Sequence, residues 1–375
     1  MERKFKPHVP DRHRQDLYRG CLLGGAVGDA IGAPVEFLRR SDILERFGAH
    51  GVVELHPAYG RLGAITDDTQ MMLFTAEGLM RGFVRSQLKG ICSLPSVVAH
   101  AYARWLYTQD ASPTNTNGAH DGWLIGIAEL HARRAPGNTC LSALCIGENP
   151  AENDSKGCGG VMRVAPVGMM FQALSCQQPS LRNHNLHQAF SIACEIAAIT
   201  HGHPTGQLAS GAFSMLLFLL LDGISLTEAT DLVLKHLSEH DHHEETTQAM
   251  QAAVRLARED LSPHEAIREL GQGWIAEEAL AVGLYCALKA SDYQSGVIMA
   301  VNHDGDSDST GLIAGHLLGA IKGVGAIPAS WLAPLELREV IEAVADDLGS
   351  VGEWQLDEPD NNEELKYYWN RYPGH

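Results

Sequence analysis

Segments with a 3.6-residue apolar period recur along this chain while strand-like alternation is almost absent, and that pattern restricts the fold to packed helices. The helical runs begin near residue 17 and include 69–84, 97–109, 186–201, 206–223, 226–240, 245–259, 275–291, 293–303, 309–324 and 335–350. Several open behind Ser, Thr or Asp, the residues that satisfy the free N–H groups of a helix start. Some are apolar nearly all round and rich in Ala and Gly, as in GLIAGHLLGAIKG. That composition suits a helix buried among others at close approach. The expected fold class is therefore all-α.

A chain of 375 residues with 45% hydrophobic composition can bury a large core. No Gly/Ser or Pro-rich linker divides it and no internal repeat is evident, so one domain is expected, with residues 138–155 as an irregular loop. The boundaries read as a charged N-terminal extension over 1–16, a helical domain over 17–345 and an acidic, then aromatic, tail over 346–375. That tail either packs at its aromatic end or stays mobile.

The formal charge of −18, from 46 acidic against 28 basic residues, opposes binding to extended nucleic acid. The first 20 residues mix charges and prolines without an apolar core, so no secretory signal is read and a cytoplasmic location is expected. The apolar run Met215–Leu221 is far shorter than the roughly 20 residues a membrane crossing requires, so no membrane is expected as a partner. The eight cysteines contain no Cys-x-x-Cys pair, which argues against a zinc cluster and a disulfide framework. Among nineteen histidines, His240, His242 and His243 lie in the charged run SEHDHHEETT and read as a solvated loop rather than a metal tract.

Two oxygen-rich runs carry the chemistry. Thr66-Asp67-Asp68 opens one apolar helix, and Asp306-Ser307-Asp308-Ser309, within HDGDSDST, opens another. Capping explains one acid at a helix start, but not a density of carboxylates that repel each other unless a cation neutralises them. Carboxylates and hydroxyls without paired Cys or His match Mg²⁺, Mn²⁺ or Ca²⁺. An EF-hand is disfavoured because its central glycine and terminal Glu are missing at the required spacing. Either run alone reads equally as a cap or as half of a metal site.

Three further features are more ambiguous. The loop Ser155-Lys156-Gly157-Cys158-Gly159 reads as a tight connection or as a phosphate cradle. Asp29 and Glu36 sit on the apolar run GGAVGDAIGAPVEF; Asp29 reads as an acid with a hydrogen-bonding partner in the core, and Glu36 as one facing a cleft. In THGHP, His201 and His203 suit either a helix end or a ligand contact.

These segments, in this order, resemble the ADP-ribosylglycohydrolase family, through GGAVGDAIGAPVEF, ITDDTQMML, SKGCGGVMRVAPVG, THGHP and GDSDSTGLIAGHLLGA. The resemblance implies a compact orthogonal helical bundle with two Mg²⁺ or Mn²⁺ ions in a central cleft. By the same resemblance, the metal ligands fall on Thr66, Asp67, Asp68, Asp306, Asp308 and Ser309, with Asp308 bridging. Glu36, Asp67 and Asp308 carry the catalytic roles, Glu36 as a gate. Ser155, Lys156, Gly157, Cys158 and Gly159 fall on the loop that holds the diphosphate, and His201 on a substrate contact.

Two departures stand out: many relatives carry Asn at Cys158 and Thr at Ser309. The implied activity is hydrolysis of the glycosidic bond between ADP-ribose and a protein side chain, arginine foremost. The implied partner is an ADP-ribosylated protein. The alternative is an ADP-ribose-binding or immunity protein that occludes an ADP-ribosyltransferase toxin, with or without catalysis.

Overall fold

Asp11 accepts hydrogen bonds from the backbone N–H groups of His13 and Arg14, and the helix it caps, α1, runs from Arg12 to Gly32. The structure is a computed structural model that describes residues 11–111, 120–356 and 363–375. Among them follow α2 (Arg40–Phe47), α3 (Asp67–Lys89), α4 (Leu94–Thr108), α5 (Asn138–Ile146), α6 (Ala165–Gln177), α7 (Arg182–Ala198), α8 (Pro204–Leu221) and α9 (Leu226–Leu237). Then come α10 (Glu244–Arg258), α11 (Pro263–Leu270), α12 (Ala276–Lys289), α13 (Tyr293–Val301), α14 (Ser307–Lys322), α15 (Ala329–Leu332), α16 (Arg338–Ser350) and α17 (Glu363–Arg371). Among the described residues the sheet content is one hairpin, Pro57–Ala58 paired antiparallel with Arg61–Leu62, and an isolated bridge between Gly157 and Ile275. The all-α expectation holds.

The centre of the bundle is an antiparallel contact between α1 and α14 in which backbone meets backbone. Gly20 faces Gly319, Gly24 faces Gly315 and Gly28 faces Gly311, one step per helical turn. A Cβ on Gly28 would lie 2.0 Å from the Gly311 carbonyl oxygen, and one on Gly315 would lie 2.1 Å from that of Gly24. No side chain fits in that space. The same register sets Gly32, the last residue of α1, against Ser307 and Asp308, where a Cβ would lie 2.5 Å from the Asp308 Cα. The zipper thus delivers the end of α1, and Glu36 beyond it, onto the acidic start of α14.

The apolar residues of these helices form one contiguous core. By length and composition α8 is able to cross a membrane, but 89% of it is buried inside the protein, so it serves as a core helix.

Two segments differ from the sequence reading, and the tail takes one of the two courses it offered. Residues 12–16, read as extension, are the first turn of α1, and Arg14 pairs with Glu353 at 2.9 Å. The segment read as an irregular loop contains α5, closed by Gly147 in the left-handed region at φ 77°. Its short apolar stretch has too few turns to show a period. The aromatic end of the tail packs: Trp354 stacks on Tyr368 with centroids 3.7 Å apart, and the Tyr372 hydroxyl donates to Asp347 at 2.6 Å.

Adding one methyl group inside the zipper should be severe. Gly315→Ala is expected to lower stability by about 2–3 kcal/mol or more, whereas Gly325→Ala, which meets nothing within 4 Å, should change it by less than about 0.5 kcal/mol. Urea unfolding followed by circular dichroism measures both; equal stabilities would contradict the zipper.

Candidate active site

Asp29, fully buried on α1, organises the start of α3 from below. Its carboxylate accepts from Thr66 N at 3.0 and 3.1 Å and from Thr69 N at 3.3 Å, and the Thr69 hydroxyl donates to it as well. The expected core partner for Asp29 is therefore the N-terminus of α3 itself. Thr66 caps that helix, its hydroxyl accepting from Asp68 N at 3.3 Å. A buried pair, Arg134 with Glu336, holds the preceding residue: Arg134 donates to Ile65 O at 2.9 Å, and Ile65 N donates to Glu336 at 3.2 Å. Asp67 and Asp68 are thus presented on a backbone clamped from both sides.

The second run is set by a sharp turn. Gly305 sits at φ 133°, a conformation open to glycine, and Asp306 N donates to Gln272 O at 2.8 Å. Asp306 then caps α14, accepting from Ser309 N at 3.4 Å. The Ser309 hydroxyl donates to Asp68 at 2.8 Å, joining runs that lie 241 residues apart. Glu36, Asp306 and Asp308 each bring a carboxylate oxygen within 4.8 Å of the other two, and Glu36 Oε2 is buried without a hydrogen-bond partner.

Burial, followed by the charge of Asp308, pushes the carboxyls of Asp67, Asp68 and Asp306 well above the usual carboxylate range. Burial and the Asp308, Asp306 and Asp67 charges raise Glu36 to about 11; burial and Asp308 raise Asp29 to about 7. Such a cluster lacks a positive charge. An orphaned Glu36 oxygen aimed at an all-oxygen donor set fits a hard divalent cation. The Cys158 side chain lies near Asp306 and Asp68 and lines one cleft with them. Burial and the adjacent acids push its pKa well above the ordinary value, so it stays protonated and is a poor metal ligand.

The acids form one wall of a cleft of about 360 Å³. Residues 10–357 match the family described as ADP-ribosylglycohydrolase. The chain belongs to that family. It is 29% identical to an uncharacterized protein of Archaeoglobus fulgidus, over 89% of this chain and 96% of that one. It is 27% identical to the ADP-ribosyl-[dinitrogen reductase] glycohydrolase of Rhodospirillum rubrum, over 88% and 92%. A solved structure described as an ADP-ribosylglycohydrolase-related protein complex superposes with a TM-score of 0.63 at 27% identity, covering 90% of this chain and 99% of that one.

In this family member, Glu36, Asp67, Asp68, Asp306, Asp308 and Ser309 line the cleft together with Gly157, Cys158, Gly159 and His201. Thr66, Ser155 and Lys156 are not among its lining residues. Lys156 turns away to Glu245 and Glu277, at 2.6 and 2.5 Å. The Cys158 N–H, one of the amides read as a phosphate donor, is engaged by Trp274 O at 3.1 Å.

Sequence reasoning missed three contributors. Phe37, at φ 69° and two-thirds exposed, stacks on Trp274 with centroids 5.5 Å apart, and both rings border the cleft. Residues 135–140 form the remaining wall. The Pro-Gly-Asn-Thr sequence at 136–139 signals a turn into a helix, but nothing local shows what that helix faces.

His201 is held neutral. Arg163 donates to the Thr200 hydroxyl at 2.7 Å, and that hydroxyl lies 2.7 Å from His201 Nδ1. With Nδ1 turned to the Thr200 hydroxyl, Nε2 lies beside Gly157 and Gly159. Burial, aided by the Arg163 charge, lowers the His201 pKa to about 3.

A pH dependence follows. The unfolded chain takes up this proton near 6.5 and the folded chain only near 3, so the contribution of the neutral ring is present above 6.5 and lost as pH falls between these values. Relative to His201→Gln, the protein should lose about 1–2 kcal/mol between pH 6.5 and 5. Urea denaturation of both at the two pH values measures it; an unchanged difference would show that His201 ionises normally.

Proposed function

We propose that this protein is a divalent-cation-dependent hydrolase that releases ADP-ribose from an ADP-ribosylated protein, with arginine as the preferred linkage. The observation that carries this reading is the convergence of five carboxylates and Ser309 from three separate segments on one cleft. The glycine loop and His201 line the same cleft. Family membership supports the reaction class.

Asp67, Asp68, Asp306, Asp308, Ser309 and Glu36 are the residues that would hold Mg²⁺ or Mn²⁺. Thr66 supports them through the helix cap. When bound, the ions supply a charged grip on ribose hydroxyls and activation of water.

The chain's own groups do the rest. His201 and Gly159 line the cleft beside the acids, and in this reading they meet an anionic group of the substrate. That arrangement suits a diphosphate, and it offsets the repulsion expected from a protein of charge −18. Asp67, Asp68 and Glu36 face the ribose, where their negative charge stabilises the oxocarbenium character that develops as the glycosidic bond breaks. The acidic wall also favours a cationic side chain at the scissile bond, which supports arginine over a neutral linkage. Glu36 is placed to hold or release a proton there, because its Oε2 has no protein partner. The exposed Phe37 and Trp274 rings offer a stacking surface at the mouth.

Incubating the protein with arginine-, serine- and thymine-linked ADP-ribose should release free ADP-ribose, fastest from arginine. Release should stop on chelation and return with Mg²⁺ or Mn²⁺. Asp308→Asn should lower the rate by at least about a hundredfold. Full turnover in excess chelator, or a nucleotide monophosphate as product, would falsify this assignment.

A further inference from the structure

The run SEHDHHEETT does not behave as a solvated loop along its whole length. His236, in the last turn of α9, and His240, four residues on, bring their Nε2 atoms within 3.3 Å of each other. Their ring centroids are 4.8 Å apart and the planes cross at 78°. A head-on N–H···N bond of that length would hold the ring centres roughly 5.5 Å apart. The two nitrogens therefore converge on a point to one side. Two nitrogens each bonded to a tetrahedral ion at about 2.0–2.1 Å are separated by about 3.3–3.4 Å, the same spacing.

The surroundings extend this geometry. Phe190 of α7 holds both rings, edge-on to His236 at 4.6 Å and stacked on His240 at 4.7 Å. His187, one turn earlier on α7, packs edge-on against His236 with centroids 4.8 Å apart. The Glu239 carboxylate lies 3.6 Å from His236 Nδ1, the ring nitrogen away from His240. A carboxylate on the far nitrogen keeps the proton there and leaves Nε2 with a free lone pair, as in imidazole ligands of metal sites. Burial and the neighbouring His240 and His187 also lower the His236 pKa, which favours the neutral, ligating form. None of these residues lines the acidic cleft.

We propose that His236 and His240 form a two-imidazole site for a borderline divalent cation, Zn²⁺ or Ni²⁺, separate from the cleft, with His187 packed against it. Imidazole donors select such ions over Mg²⁺, whereas the oxygen donors of the cleft do the reverse. A bound ion would fasten the end of α9 to the turn that leads into α10.

The test is a Zn²⁺ titration of the full chain without an affinity tag, in excess Mg²⁺ to occupy the cleft. It is followed by calorimetry and by NMR of the imidazole nitrogens. Ring signals of His236 and His240 should shift within the first equivalent. His240→Gln and His236→Gln should each weaken Zn²⁺ binding at least about tenfold while leaving the helical circular dichroism unchanged. Unmoved His236 and His240 signals at one equivalent, or equal affinity in both variants, would overturn the proposal. The NMR arm needs no substitution, so it decides the matter even if a variant fails to fold.

Discussion

The backbone contact between α1 and α14 is the constraint on which the rest depends. Glycines recurring at every fourth residue on both helices let the two backbones touch, and touching fixes their register to the residue. With the register fixed, the end of α1 lies against the start of α14, so Glu36 reaches Asp306 and Asp308. The same helix carries Asp29, whose carboxylate binds the N-terminus of α3 and aims Asp67 and Asp68 at the same point. One helix therefore places all three sources of negative charge. A side chain at the zipper would displace the acids as well as loosen the core.

The cluster so assembled opposes folding electrostatically. Its carboxyls are driven far above the usual range by burial and by one another, and the Ser309 hydroxyl and backbone N–H groups satisfy only some of their oxygens. Buried like charges persist where function requires them and the surrounding structure holds them in place. Here the clamps on Asp29, on Ile65 through Arg134 and Glu336, and on Asp306 through Gln272 supply that support. A cation would remove the repulsion that these clamps withstand, which makes cation binding and stability two readings of one property.

Much of this was legible in the sequence, because helical period, capping residues and small-residue spacing are local signals. The helices from α7 to α10 and from α12 to α14 were recovered that way, as were both acidic runs and the core partnership of Asp29. What failed was nonlocal. The sequence shows that Lys156 lies in a glycine loop but not that Glu245 and Glu277, far along the chain, draw it aside. Cys158 reads as a departure within the glycine loop, yet it lines the same cleft as Asp306 and Ser309. The Phe37–Trp274 stack joins residues from separate segments, and a left-handed Phe37 follows no simple turn rule. His240 looked solvated because its neighbours in sequence are charged, while its neighbour in space is Phe190.

The central claim is that the acids from the end of α1 and the starts of α3 and α14 form one cation-binding centre. Anomalous diffraction from crystals grown with Mn²⁺ tests it most directly. The account predicts manganese density in the cleft, bounded by Asp67, Asp68, Asp306, Asp308 and Glu36. A cleft free of anomalous density at saturating Mn²⁺ would contradict it.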